Sequence, residues 1–176
     1  MGIQCMSLPE MPLSHKISTL LYCFDAHDEV LLMHRAQEPN LHLWSPPGGK
    51  LHAADGESPH ACACREAAEE IGIQITPSEL HLTGIITETG HSTNAHWLMF
   101  LFEITTKLHT LPPPHREGSF TFHSREALAS LPLPETDREM IWPLFWKHRG
   151  GFFAARCLTT AGAPNQWTVE QSNVKI

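Results

Sequence analysis

Apolar residues come in short blocks divided by polar, turn-forming stretches. "ISTLLYCF" (Ile17 to Phe24) and "VLLMHR" (Val30 to Arg35) flank the turn-rich "DAHDE", a pattern that predicts two strands joined as a hairpin. "ELHLTGIITE" and "AHWLMFLFEI" read as two further strands, the second so continuously apolar that it is expected near the middle of a sheet. "SFTFHS" predicts a short strand, "REALASL" a short helix, "TDREMIWPLFWKH" a helix interrupted or ended near Pro143, and "GFFAARCL" a last strand. "KLHTLPPPH" is expected to be a stiff loop. Residues 1–16 and 159–176 lack periodicity and are expected to be tails, leaving 17–158 as one α/β (α+β) domain with helices flanking its sheet.

Between the second and third strands lies "PPGGKLHAADGESPHACACREAAEEIGI", Pro46 to Ile73. Ser58-Pro59 supplies a cap and a first-turn proline, and Gly72 supplies the stop, so a helix is predicted between them. At helical spacing Glu66, Glu69 and Glu70 share an arc of about 100°, and Ala61, Cys64, Ala67, Ala68 and Ile71 are expected to form the opposite, buried face. Carboxylates crowded in this way repel one another unless a cation sits among them. Oxygen ligands on a rigid helix suit a hard ion such as Mg²⁺ or Mn²⁺ shared with substrate phosphates. On "REAAEE" alone, a solvated helix face accounts for the pattern as well. Gly48 and Gly49 change the balance, because they let backbone approach a phosphate or metal where a side chain would block it. Arg65 stands four residues before Glu69 and can orient it, and Glu57 sits at the positive end of the helix.

The chain has 176 residues, 41% hydrophobic and 18% charged, as in an ordinary globular domain. A net charge of −7 and the absence of a Lys/Arg run argue against a nucleic-acid polymer as partner. The 13 histidines show no paired-ligand spacing, and the 5 cysteines form an odd set without a disulfide framework. Reduced thiols, no signal-like start and no apolar run near the ~20 residues that span a bilayer together predict a cytoplasmic protein with no membrane contact.

From Glu57 the stretch resembles the Nudix box, G-x5-E-x7-R-E-U-x-E-E-x-G-U with U a bulky apolar residue. Seven residues lead from Glu57 to Arg65-Glu66, followed by Ala67, Ala68, Glu69, Glu70, Ile71, Gly72 and Ile73. Ala67 is smaller than the pattern's apolar position, and seven residues in place of five separate Gly49 from Glu57, so this loop is expected to look unfamiliar. The resemblance implies an α/β/α sandwich with a mixed sheet, and Mg²⁺-dependent (or Mn²⁺-dependent) hydrolysis of a nucleoside diphosphate linked to another group. It implies metal ligands at Glu66, Glu69, Glu70 and the Gly49 carbonyl, support from Arg65 and Glu57, and a general base at Glu66 or Glu117. The C-terminal part is similar to the MutT-like oxidised-purine triphosphatases of the family, which implies base contacts at Asp137, Trp142 and Phe122 and a substrate contact at Arg35. Ser45 stands where some of those enzymes hold Asn. The implied substrate is a (d)NTP, including oxidised purine nucleotides such as 8-oxo-dGTP, cleaved to NMP and pyrophosphate by a monomer or homodimer. ADP-ribose or another NDP-linked substrate, and a Nudix-fold binding module with little catalysis, stay open as alternatives.

Overall fold

The computed structural model describes residues 14–90, 95–160 and 162–175. The strands are β1 (Ser14–Tyr22), β2 (Val30–Arg35), β3 (Trp44–Ser45), β4 (Leu80–Gly90), β5 (Ala95–Ile104), β6 (Gly118–His123), β7 (Phe152–Leu158) and β8 (Gln166–Asn173). They form a five-stranded sheet in the order β1-β5-β4-β7-β8 and a three-stranded sheet in the order β3-β2-β6. The larger sheet is mixed: β1 with β5 and β4 with β7 are parallel, whereas β4 with β5 and β7 with β8 are antiparallel. β5 lies between β1 and β4, as its continuous apolar run predicts.

The expected hairpin does not form. β1 pairs with β5 and β2 enters the other sheet, and the two strands keep only an antiparallel bridge between Phe24 and Val30. Both segments are apolar on both faces, which suits strands buried between two cores. Leu20, Tyr22, Phe24, Val30 and Leu32 enter one core with Phe145 and Trp142. Leu21, Cys23, Leu31 and Met33 enter the other, against Ala63, Ala67 and Ile71.

Helix α1 (Pro59–Glu66) starts at Ser58, whose Oγ accepts from the Ala61 N–H at 3.1 Å. It continues through a wider π-type turn, Ala67–Ile71, and ends at Gly72 with φ +78°. The buried face differs from the expected one. Ala61 is exposed, whereas Cys62, Ala63, Ala67 and Ile71 pack inward and bring Glu66 and Glu70 with them. The shift already stands in the α-helical residues, where Cys62, Ala63 and Glu66 are buried and Ala61 is not, so it reflects the side on which α1 docks against the core and not the π-type turn.

"REALASL" forms only a single 3₁₀ turn, Ala127–Ala129. Pro143 does not end a helix: a π-type turn, Asp137–Ile141, leads into α2 (Trp142–His148) with the proline in its first turn, where the missing N–H costs least. The expected tail from residue 159 contains β8, antiparallel to β7 along its whole length. Most β8 side chains face solvent, so the strand rests on backbone pairing and leaves little apolar period to read. At the other end, β1 begins at Ser14, and residues 1–13 of the expected N-terminal tail lie outside the described residues. No helix among the described residues is long and apolar enough to cross a membrane.

Candidate functional site

The segment from Pro46 to Lys50 runs along the backbone of β1. Thr19 N–H donates to Gly49 O at 2.9 Å, Leu21 N–H to Pro47 O at 2.8 Å, and Leu51 N–H to Ile17 O at 3.0 Å. Gly48 has φ +141°, and a Cβ there would run into the Thr19 carbonyl. A Cβ on Gly49 would run into the Glu66 carboxylate. The two glycines therefore serve different contacts, one with strand backbone and one with a helix carboxylate.

α1 presents its glutamates to this loop. The Gly48 N–H donates to Glu70 Oε2 at 2.7 Å. Glu66 and Glu70 are buried, and Glu69 is exposed. Arg65 joins the cluster: its Nε donates to Glu57 Oε1 at 2.8 Å, its Nη1 to Glu66 Oε1 at 2.7 Å and to Glu69 Oε2 at 3.1 Å, and its Nη2 to Lys50 O at 3.1 Å. The Arg65 hydrogen bond holds the Glu57 carboxyl down at about 2, and Glu57 and Glu66 in turn hold the Arg65 guanidinium well above its usual range. The two inserted residues fit into a 3₁₀ turn, Ala53–Asp55, closed by Gly56 with φ +69°, and His52 N–H ties the turn to Glu57 Oε2 at 2.8 Å. The longer loop thus ends on the same Glu57–Arg65 pair.

The small sheet supplies the opposite wall. Arg35, at the end of β2, donates through Nε to Pro39 O at 2.7 Å and lies 3.5 Å from Glu117 through Nη2. Burial pushes Glu70 up to about 7, with the charges of Glu66 and Glu117 adding to it and the Gly48 N–H opposing it. Burial likewise raises Glu66, against the pull of Arg65. Glu117 thus stands close enough to be felt by both helix glutamates.

These groups line one cleft of about 980 Å³ together with Ser45, Lys50, Glu88, Trp97 and Asp137. Of the residues singled out in the sequence, Glu66, Glu69, Glu70, Arg65, Glu117, Gly49, Arg35 and Asp137 are brought to the cleft. Phe122 and Trp142 are not. Phe122 sits on β6 opposite Leu31 and packs on the core beneath α1, and Trp142, only 3% exposed, packs edge-on against Tyr22 and Phe145. Their apolar bulk is drawn into the cores that α1 and α2 cover. Sequence reading missed Glu88 and Trp97, which become cleft residues because β4 pairs with β5 in the register Glu88 to Trp97. Strand alternation alone could have put Glu88 on the face of Ile86, but not beside the cleft.

The donor set fits a hard divalent cation: oxygen donors, with Glu66 and Glu70 buried, and with burial first and neighbouring carboxylate charge second raising Glu70. Among the described residues no three His, Cys, Asp or Glu side chains already converge as a ready-made ligand set. Arg65 holds Glu66 and Glu69, and Gly48 holds Glu70, so these contacts must yield oxygens to a bound ion. The Gly49 carbonyl already accepts from the Thr19 N–H at 2.9 Å and from the Cys62 thiol at 3.8 Å, so the weaker thiol contact must also give way for this oxygen to reach an ion.

The sequence matches the family model of the NUDIX domain over residues 14–142. Among solved structures, the chain is similar to a MutT protein of Bacillus halodurans, with 24% identity, 88% of this chain and 97% of that one covered, and a TM-score of 0.65. A MutT protein of Methanosarcina mazei Go1 shows 19% identity over 80% and 99% of the two chains, with a TM-score of 0.66. The NUDIX domain of Shewanella oneidensis NrtR, in a structure with ADP ribose, shows 15% identity over 79% and 91%, with a TM-score of 0.59.

Proposed function

The chain belongs to the Nudix family, and from that premise we propose that it is a Mg²⁺-dependent hydrolase of (d)NTPs, releasing NMP and pyrophosphate and acting on oxidised purine nucleotides such as 8-oxo-dGTP. The observation that carries this reading is the meeting of Glu66, Glu69, Glu70 and Glu117 with a glycine-bearing loop in one cleft large enough for a nucleotide.

Glu66, Glu69, Glu70 and the Gly49 carbonyl would hold Mg²⁺ or Mn²⁺, which would supply positive charge to the substrate phosphates. Arg35 and Lys50 add fixed cations on two sides of the same cleft. Water attacks phosphorus, a P–O bond forms, and the bridging oxygen leaves with pyrophosphate. Glu117 is the better placed base: Arg65 engages Glu66 at 2.7 Å, whereas the Arg35 contact of Glu117 is longer, at 3.5 Å. Arg65 is a positioning residue that fixes the carboxylates. The free thiols of Cys23, Cys62, Cys64 and Cys157 fit a cytoplasmic setting.

The test is to incubate the purified protein and Mg²⁺ with dNTPs, 8-oxo-dGTP, ADP-ribose and NADH and to separate the products. NMP and pyrophosphate from triphosphates support the reading. Turnover of ADP-ribose alone moves the substrate to that class, and binding without turnover of any member defeats the enzyme reading.

A further inference from the structure

On the face of the large sheet that lines the cleft, three large side chains rise together. Lys16 on β1 stands directly beside Trp97 on β5 in the parallel register, and Lys50 faces Ser18 across an antiparallel bridge. Ser18 is two residues along β1 from Lys16, so strand alternation puts Lys16, Lys50 and Trp97 on one face. Their side chains meet there: the Lys16 ammonium lies 5.1 Å from the centre of the Trp97 ring, and the Lys50 ammonium 5.8 Å from it. Among the described residues neither ammonium has a hydrogen-bond or ion-pair partner. The carboxylate of the same row, Glu88 on β4, pairs with Trp97 from the other side, so Trp97 separates it from Lys16.

One cation over an indole is a stable arrangement, but a second on the same ring adds its repulsion to the first. An anion held by both turns that repulsion into attraction. Lysine is a compact point charge with three rotatable donors, which suits the end of a phosphate chain, whereas a planar carboxylate is matched better by arginine. The position fits such an end. The Thr19 N–H holds the Gly49 carbonyl beside the glutamates, and Lys16 lies three residues away along β1, about 10 Å at the rise of a strand. Lys50, bridged to Ser18, stands between them. The cations thus continue away from the glutamate cluster along one strand.

We propose that Lys16 and Lys50, gathered on the Trp97 ring, form the seat of the substrate's terminal phosphate, so that the site selects nucleoside triphosphates over diphosphates. Lys16 contacts the phosphate, and Trp97 is a positioning residue that keeps the two ammoniums together before substrate arrives. A diphosphate ends short of Lys16 and forgoes this contact. The inference rests on the (d)NTP reading and deepens it by assigning the length of the phosphate chain to residues outside the glutamate-bearing segment.

The experiment measures kcat and KM for dGTP and dGDP with Mg²⁺, using wild type, Lys16→Met, Lys16→Arg, Trp97→Leu and Trp97→Phe. Lys16→Met keeps the apolar stem without the charge, and it should raise KM for dGTP about tenfold while leaving dGDP within about twofold. Lys16→Arg should restore most of the preference. Trp97→Leu should resemble Lys16→Met with kcat kept, and Trp97→Phe, which retains a ring face, should recover part of the loss. A ratio of dGTP to dGDP that Lys16→Met leaves unchanged overturns the proposal, and so does an equal rise in KM for both. Calorimetry with dGTP and dGDP in the absence of divalent metal reads the same difference without turnover. If no triphosphate is hydrolysed, the enzyme reading fails, yet tighter binding of dGTP that is lost in Lys16→Met still supports the seat. Equal binding of dGTP and dGDP by wild type overturns it. Melting curves identify any variant that has lost its fold, in which case Lys16→Gln replaces Lys16→Met.

Discussion

Arg65 is the residue on which most charge at the site depends, since it binds Glu57, Glu66, Glu69 and the Lys50 carbonyl at once. The spacing from Glu57 to Arg65 made that pair legible in the sequence; the place of Glu88 in the cleft was not legible, because it depends on where β4 lies relative to the small sheet and α1. Glu57 is held at about 2, below an unfolded value near 4.3, so its stabilising effect is full above pH 5 and is lost as pH falls toward 2. Glu57→Gln should therefore lower stability by about 1 kcal/mol at pH 7, and the gap from wild type in denaturant melts should close on acidification. Asp137 has the opposite sign. Its folded value near 7 lies above the unfolded one, so stability is full below about pH 4 and falls as pH rises through 7. Asp137→Asn should be more stable than wild type at pH 8 by about 1–3 kcal/mol and equal to it at pH 4, read from the same melts. Glu70→Gln should keep the fold and the Gly48 contact while turnover drops by orders of magnitude; undiminished turnover would remove Glu70 from the metal site.

At the scale of the element, α1 and its loop act as one unit, and the two glycines separate stability from activity. Gly48→Ala would press a Cβ into the Thr19 backbone at φ +141°, where nothing can yield easily, so a loss of at least ~2 kcal/mol is expected in thermal melts. Gly49→Ala would meet first the Glu66 carboxylate, a side chain and not backbone, so displacing it costs the Arg65 contact; the fold should persist while activity falls at least about tenfold. The helix start at Ser58 and stop at Gly72 were legible because capping is local chemistry. Its buried face was not. Its buried positions include Glu66 and Glu70 beside Cys62, Ala63, Ala67 and Ile71, and the two glutamates look polar in any hydropathy pattern. A π-type turn precedes α2 and explains why Pro143 neither ends nor kinks the helix where the sequence suggested.

For the whole molecule, the mixed large sheet was legible as apolar runs, whereas the assignment of β1 and β2 to different sheets was not, because local turn signals carry no information about remote partners. β8 was hidden for a related reason: its order comes from the β7 backbone and from the buried His148, whose Nε2 lies 2.7 Å from Ser172 Oγ. Removing residues 159–176 should lower the melting temperature sharply, and Ser172→Ala alone should cost about 1–2 kcal/mol with the carboxylate cluster of α1 unaffected. The cleft runs between two sheets that share no strand among the described residues, with Glu66 and Glu70 on one side and Arg35 and Glu117 on the other. A nucleotide spanning it would act as a crosslink between separately paired halves of the chain, so saturating ligand should slow amide hydrogen exchange in β2 and β6 and at the end of α1 together, a shared protection that neither half can supply to the other through its own ladder.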